Sequence, residues 1–281
     1  MLAAGLRGFR WSVCSETFPG QSFAEICGAT RRTGYTGLEI DPSNLSDDPA
    51  ALSAPERAAL RKAMSDQGVE YVGLHSFLKA PEGLHLTTPD AQVRRRSWEY
   101  FDRLIDLAAD LGDGPVMVLG SSRQRQAIDG ATTVEAVARL TDGLARVSTH
   151  AERRGVTILM EPLAPHLCNV VNSMDEAAAM VQKIGNRAVQ SMFDTHNTPA
   201  ETLPHPEVIR KHFSRIRHVH LNELDGRYPG SGAYPFAPAL KALRDLGYQG
   251  WLSVEVFDFR PDGETVARKA ISFLQGIAKE L

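Results

Sequence analysis

Four runs in the second half of the chain decide the fold: VTILMEPL (156–163), VQSMFDTHN (189–197), IRHVHLNE (216–223) and WLSVEVFDF (251–259). Each is a short β-branched or apolar run that leads to an ionisable side chain, giving Glu161, Asp194, His220 and Glu255. Runs of this kind, separated by longer segments with helical periodicity, predict strands at 157–161, 190–194, 218–221 and 252–256. Working toward the N-terminus, the same alternation predicts strands at 9–14, 37–40, 70–75 and 116–120. Between them lie amphipathic stretches such as 91–111 and 134–154. In the first, Trp98, Phe101, Leu104, Ile105, Ala108 and Leu111 share one face, which predicts a helix packed on a core. Gly34, Gly68, Gly155 and Gly247 each stand just before a strand, where a helix closes in the left-handed conformation.

Strict strand–helix alternation makes the strands parallel, with helices outside them. About eight units in 281 residues predict an α/β fold of one (β/α)8 barrel, with 1–281 as a single domain. A doubly wound open sheet loses support because no GxGxxG follows the first strand and no GxxxxGK[ST] occurs. A formal net charge of −3 gives no general attraction for nucleic acid or an anionic membrane. No apolar run approaches the length of a membrane span. Three dispersed cysteines, Cys14, Cys27 and Cys168, read as reduced thiols, and the expectation is a cytoplasmic protein.

In a parallel barrel the site lies where the strands end, because the βα loops converge there. Three carboxylates meeting at one mouth repel one another unless a cation neutralises them. Two Glu, one Asp and one His make a hard, oxygen-rich donor set with one imidazole. That set suits one divalent ion, Mn²⁺ first and Mg²⁺ or Co²⁺ next, better than a closed structural Zn²⁺ site. His218 and His220 alternate on one strand, and the expectation puts one inward and the other toward the helices. Softer candidates surround these. His75 and His166 are candidate pocket residues, and Glu39 reads as an ion-pair partner. Lys79 and the RQR run at 123–125 lie on the pocket side, as anion holders or a solvated loop. Asn169 and Asn172 read as braces for the loop after Glu161, while Trp11 and Phe257 are candidate apolar walls. Cys14 has no paired base in sequence and reads as inert.

The segments MEPL, CNVVNS, FDTHN, HVHLNELDGRYPGSG and GWLSVEVF, with a weaker GYTGLEI at 34–40, occur in one order and spacing. On them the chain resembles the sugar phosphate isomerase/epimerase superfamily. These xylose-isomerase-like barrels include ketose 3-epimerases, hydroxypyruvate isomerases and inosose dehydratases. The resemblance implies that Glu161, Asp194, His220 and Glu255 hold the metal, Zn²⁺ remaining an option. It implies that Glu161 and Glu255 also handle a proton on opposite faces of the substrate. His196 resembles a substrate-binding histidine and Arg227 an arginine that reaches the substrate's hydroxyl end, with His75 a further substrate contact. His196 stands two residues after Asp194 where the epimerase pattern has three, and Arg227 seven after His220 where it has six.

Two sister groups fit less well. The 116–122 run, VMVLGSS, lacks the histidine of DNA-repair AP endonucleases, and EPLAPH lacks the lysine of true xylose isomerases. The implied chemistry is proton transfer beside a carbonyl through an enediolate, giving epimerisation or isomerisation of a carbohydrate-like substrate. A lyase or dehydratase, and a non-catalytic sugar-binding barrel, stay open. The resemblance further implies a homodimer or homotetramer, and the charge and hydropathy lead to an expectation of neither nucleic-acid nor membrane partners.

Overall fold

The computed structural model describes residues 8–281. Its strands are β1 (Arg10–Cys14), β2 (Gly37–Ile40), β3 (Glu70–His75), β4 (Val116–Leu119), β5 (Thr157–Met160), β6 (Val189–Asp194), β7 (Ile216–Leu221) and β8 (Trp251–Val254). Each is hydrogen-bonded in parallel to the next, and β8 returns to β1 with Arg10 opposite Trp251, so the barrel is closed. The helices are α1 (Phe23–Thr33), α2 (Ala54–Asp66), α3 (Ala91–Leu111), α4 (Thr133–Arg154), α5 (Met174–Ile184), α6 (His205–His212), α7 (Phe236–Asp245) and α8 (Gly263–Glu280). The alternation is therefore that of a TIM barrel, and no open sheet edge is left.

Strand boundaries fall within about two residues of those expected from sequence. β5 stops at Met160 rather than Glu161, and Pro162, which has no N–H, cannot extend the ladder. Gly34, Gly68, Gly155 and Gly247 all have positive φ, between 63° and 107°, as helix closure before a strand requires. The expected face of α3 is buried, from Trp98 to Leu111. Three helices start with reciprocal caps: Ser22 with Glu25, Ser53 with Glu56, and Thr132 with Glu135.

The main core fills the space between strands and helices and includes Trp98, Phe101, Leu104 and Ile158. A separate small cluster, Val118, Leu159 and Met192 with Val116, comes from β4, β5 and β6. Beside their buried apolar residues, β1, β2, β3, β7 and β8 carry the buried polar side chains Ser12, Glu39, His75, His218, His220 and Ser253. The barrel interior is thus apolar on one side and ionisable on the other. That polarity decides where charge gathers. Among the described residues, no helix is long and apolar enough to cross a membrane.

Candidate functional site

Glu161 follows β5, Asp194 ends β6, His220 lies in β7 and Glu255 follows β8. Asp194 pairs in register with His220, and Glu161 and Glu255 stand directly after the last residues of β5 and β8, so all four lie at the barrel mouth. One donor atom from each lies within 4.8 Å of the others, and all four side chains are buried. His220 Nδ1 is 3.1 Å from Glu255 Oε2 and 3.7 Å from Glu161 Oε1. Its other nitrogen, Nε2, is 3.1 Å from Glu39 Oε1. The ring is therefore held between an outer carboxylate and the inner cluster. Asn197 Nδ2 donates to Asp194 Oδ2 at 2.6 Å and to Glu161 Oε1 at 3.4 Å, while the His196 backbone N–H donates to Asp194 Oδ1 at 2.7 Å.

Two features make this packing fit. Gly120 follows β4, and a Cβ there would stand 2.2 Å from Glu161 Oε2, so only glycine lets that carboxylate lie where it does. Arg125 is fully buried and donates to the backbone carbonyls of Gly120 and Glu161, each at 2.7 Å, and to that of Val170. It ties the loops after β4 and β5 together beneath the site.

One expectation is corrected. His218 and His220 do not face opposite ways: both reach Glu39, His218 through Nε2 at 2.7 Å. Residues two apart on a strand share a face, so both rings point into the barrel. Glu39 is the ion-pair partner expected of it, fully buried between the two rings.

The electrostatics split the carboxylates. Burial, then repulsion from Glu255, pushes Glu161 well above the ordinary carboxylate range, and His220 offsets only part of this. Asp194 is raised by burial and by Glu255. Burial also opposes the charge on Glu255, but His220 and His75 outweigh it and hold that carboxyl below its usual range. Burial disfavours a charged His220, yet Glu39 and Glu255 reverse the balance and raise it. His218 is lowered by burial in spite of Glu39, whose Oε2 lies 2.7 Å from its Nε2. Three buried carboxylates against one imidazole leave an excess of negative charge that a divalent ion would cancel. Three oxygen donors and one nitrogen suit such an ion, with Glu161 and Glu255 leaving an open side toward the cavity.

That cavity, of about 540 Å³, is lined by Glu161, Glu255, His196, Asn197, Lys79 and Phe257 among others. His196 Nδ1 lies 2.9 Å from the Leu224 carbonyl, which fixes the N–H there and leaves Nε2 as an acceptor. The ring packs against Phe257, with centroids 5.4 Å apart. Lys79 donates to Asp41 at 2.6 Å. Arg123 reaches the cavity, whereas Arg125 does not. Arg227 is half-exposed, bonded to Asp225 at 2.7 Å, and lies off the cavity wall. His75 also lies off the wall: it is buried behind Glu255, with Nε2 2.9 Å from Glu16. His166 is exposed and likewise off the wall. Asn172 braces the loop through the carbonyls of Leu163 and Cys168, and Asn169 accepts from the Ala127 N–H. The Cys14 thiol is pushed up by burial and by Glu39. Arg125, expected in sequence as an anion holder or part of a solvated loop, is instead a buried loop tie, while Gly120 and Asn197 are not singled out by the sequence. Asn197 carried a signal, standing three residues after Asp194 in FDTHN.

A parallel (β/α)8 barrel with an acidic, imidazole-containing cluster at its C-terminal mouth defines the class. The family profile described as xylose isomerase-like TIM barrel matches residues 27–277, and the chain belongs to that family. A D-psicose 3-epimerase of Enterocloster bolteae is 36% identical over 228 residues, covering 80% of this chain and 73% of that protein. An L-ribulose 3-epimerase of Mesorhizobium japonicum is 27% identical over 270 residues, covering 96% and 86% respectively. In fold, the chain matches a D-psicose 3-epimerase crystallised in the presence of D-fructose, with a TM-score of 0.84. That likeness spans 96% of this chain and 99% of the other at 22% identity.

Proposed function

We propose that the chain, as one barrel domain, is a divalent-metal-dependent ketose epimerase or isomerase that moves a proton beside a substrate carbonyl. The observation that carries this reading is the placement of Glu161 and Glu255. They come from β5 and β8, flank His220, and both open onto the same cavity. Similarity to proteins named as ketose 3-epimerases supports the same reaction class. A divalent ion held by Glu161, Asp194, His220 and Glu255, Mn²⁺ in the first instance, supplies Lewis-acid polarisation of the carbonyl when bound.

The chain's own groups supply the proton transfers. Glu255, held ionised by His220 and His75, takes the proton next to the carbonyl. Glu161, which opens onto the same cavity, delivers a proton from the opposite face. Return to the same carbon gives epimerisation, and return to its neighbour gives aldose–ketose isomerisation. His196 Nε2 accepts from a substrate hydroxyl while Phe257 covers an apolar ring face. Asn197 keeps Asp194 and Glu161 in place. In this reading Arg227 acts from the rim, where meeting a substrate requires release of Asp225, and His75 acts through Glu255.

The test is turnover by chelator-stripped protein before and after Mn²⁺ reloading, over a panel of free ketoses followed by NMR. The reading expects inversion at C3 or carbonyl migration, restored by metal. Chelator-insensitive turnover, or none across the panel in metal-loaded protein, would count against it.

A further inference from the structure

Glu255 also belongs to a second group of metal-binding side chains. Cys14 ends β1, Glu16 follows it and His75 ends β3; one donor atom from each lies within 4.8 Å of the others and of Glu255. The two oxygens of Glu255 face different histidines. Oε2 is 3.1 Å from His220 Nδ1, and Oε1 is 3.4 Å from His75 Nδ1. The two histidines are built alike. Each turns Nδ1 toward Glu255 and pairs Nε2 with an outer carboxylate, Glu39 for His220 at 3.1 Å and Glu16 for His75 at 2.9 Å. A carboxylate behind the far nitrogen is how proteins fix the tautomer and aim of a metal-binding imidazole. His75 is 1% exposed, and its Nδ1 makes no well-aligned hydrogen bond. A buried nitrogen left in that state is costly unless something fills the gap.

Charge points the same way. Glu16, Glu39, Glu161, Asp194 and Glu255 bring five carboxylates to one side of the mouth, and the nearby Lys79 is bonded to Asp41. One divalent ion does not neutralise that set. We propose that Cys14 Sγ, His75 Nδ1 and Glu255 Oε1 form a second cation site for a thiophilic divalent metal ion of the zinc–cadmium class, with Glu255 bridging to the first. Sulfur, imidazole and carboxylate together select such an ion over Mg²⁺ or Mn²⁺, and three protein ligands leave a fourth position open. Glu16 is the positioning residue for His75. On binding, the Cys14 S–H bond gives way to a sulfur–metal bond and the proton leaves to solvent. An ion held there takes up Glu255 Oε1, so its presence restrains the carboxylate assigned the proton transfer.

The experiment is titration of the chelator-stripped full chain with Cd²⁺ alone. It follows the ultraviolet thiolate-to-cadmium charge-transfer band and the equivalents retained after desalting. Wild type is expected to retain one equivalent more than Cys14→Ser, with the band growing as that equivalent binds. Cadmium at the four-ligand site meets no thiolate and adds no band, so failure there is distinguishable from failure here. No band in wild type overturns the proposal. A band of equal height in Cys14→Ser, arising from Cys27 or Cys168, also overturns it. Should Cys14→Ser not fold, His75→Gln decides: cadmium affinity weakened by about tenfold or more supports the site, and unchanged affinity refutes it.

Discussion

Gly120→Ala probes the site without touching a charged residue. The added Cβ would stand 2.2 Å from Glu161 Oε2, where ordinary contact begins at 3.4 Å, so the carboxylate must retreat by about 1.2 Å. The backbone cannot share that movement easily, because Arg125 holds the carbonyls of both Gly120 and Glu161. The displacement therefore falls on the carboxylate itself. Misplacing a reacting or coordinating group by about 1 Å costs roughly a hundredfold in rate. Overpacking of this kind costs only about 1–3 kcal/mol in stability, or a Tm loss of a few degrees in a chain of this length. The variant should fold, lose about two decades in kcat/KM, and bind Mn²⁺ more weakly. Steady-state kinetics, calorimetric Mn²⁺ titration and thermal melting read the three effects. Gly276→Ala, where nothing lies within 4 Å of the new Cβ, is the control and should match wild type. If Gly120→Ala keeps kcat/KM within about threefold and binds Mn²⁺ as wild type does, Glu161 is not confined as described.

Further outcomes follow from the same site. Glu161 is raised by burial and by Glu255, so its contribution to the metal-free protein is lost as pH rises through its folded pKa. Between about pH 5 and pH 8, melting of chelated protein should show Glu161→Gln increasingly stabilised over wild type, and the opposite trend would contradict the assignment. Arg125→Met should lower stability by roughly 3–5 kcal/mol, because it strands three buried carbonyls at about 1–3 kcal/mol each. Chemical denaturation checks this, and a loss below about 1 kcal/mol would show that the loops repair themselves. His196→Ala should raise KM for a ketose by about tenfold with Mn²⁺ affinity unchanged, since its ring lines the cavity while Asp194 needs only its backbone N–H. Weakened metal binding would place the ring in the metal site instead.

Much of the fold is legible because a parallel barrel repeats one simple pattern. VTILMEPL and WLSVEVFDF are apolar enough to be buried strands, and the glycines before β2, β3, β5 and β8 mark helix ends. The four mouth residues are legible for a related reason: an ionisable group ending an apolar run has few places to go except the barrel mouth. His218 shows a different limit. Its facing was implicit in the two-residue period, and His-Val-His puts both rings on one side. Arg125 was harder. Its RQR run reads as an anion holder or a solvated loop, and its burial depends on carbonyls of Glu161 and Val170, from 36 and 45 residues away. Arg227 turns on a local choice: its bond to Asp225, two residues earlier, holds it at the rim. The pairing of His75 with Glu16 crosses 59 residues and joins β3 to the loop after β1, which no local pattern announces.

The most direct test of the proton-transfer claim is exchange in deuterated water by Mn²⁺-loaded protein acting on a ketose, with the labelled carbon identified by NMR. The expected result is deuterium at the carbon beside the carbonyl, abolished by chelation and reduced by at least about a thousandfold in Glu255→Gln. Turnover with no deuterium incorporated, or incorporation undiminished in Glu255→Gln, would contradict it.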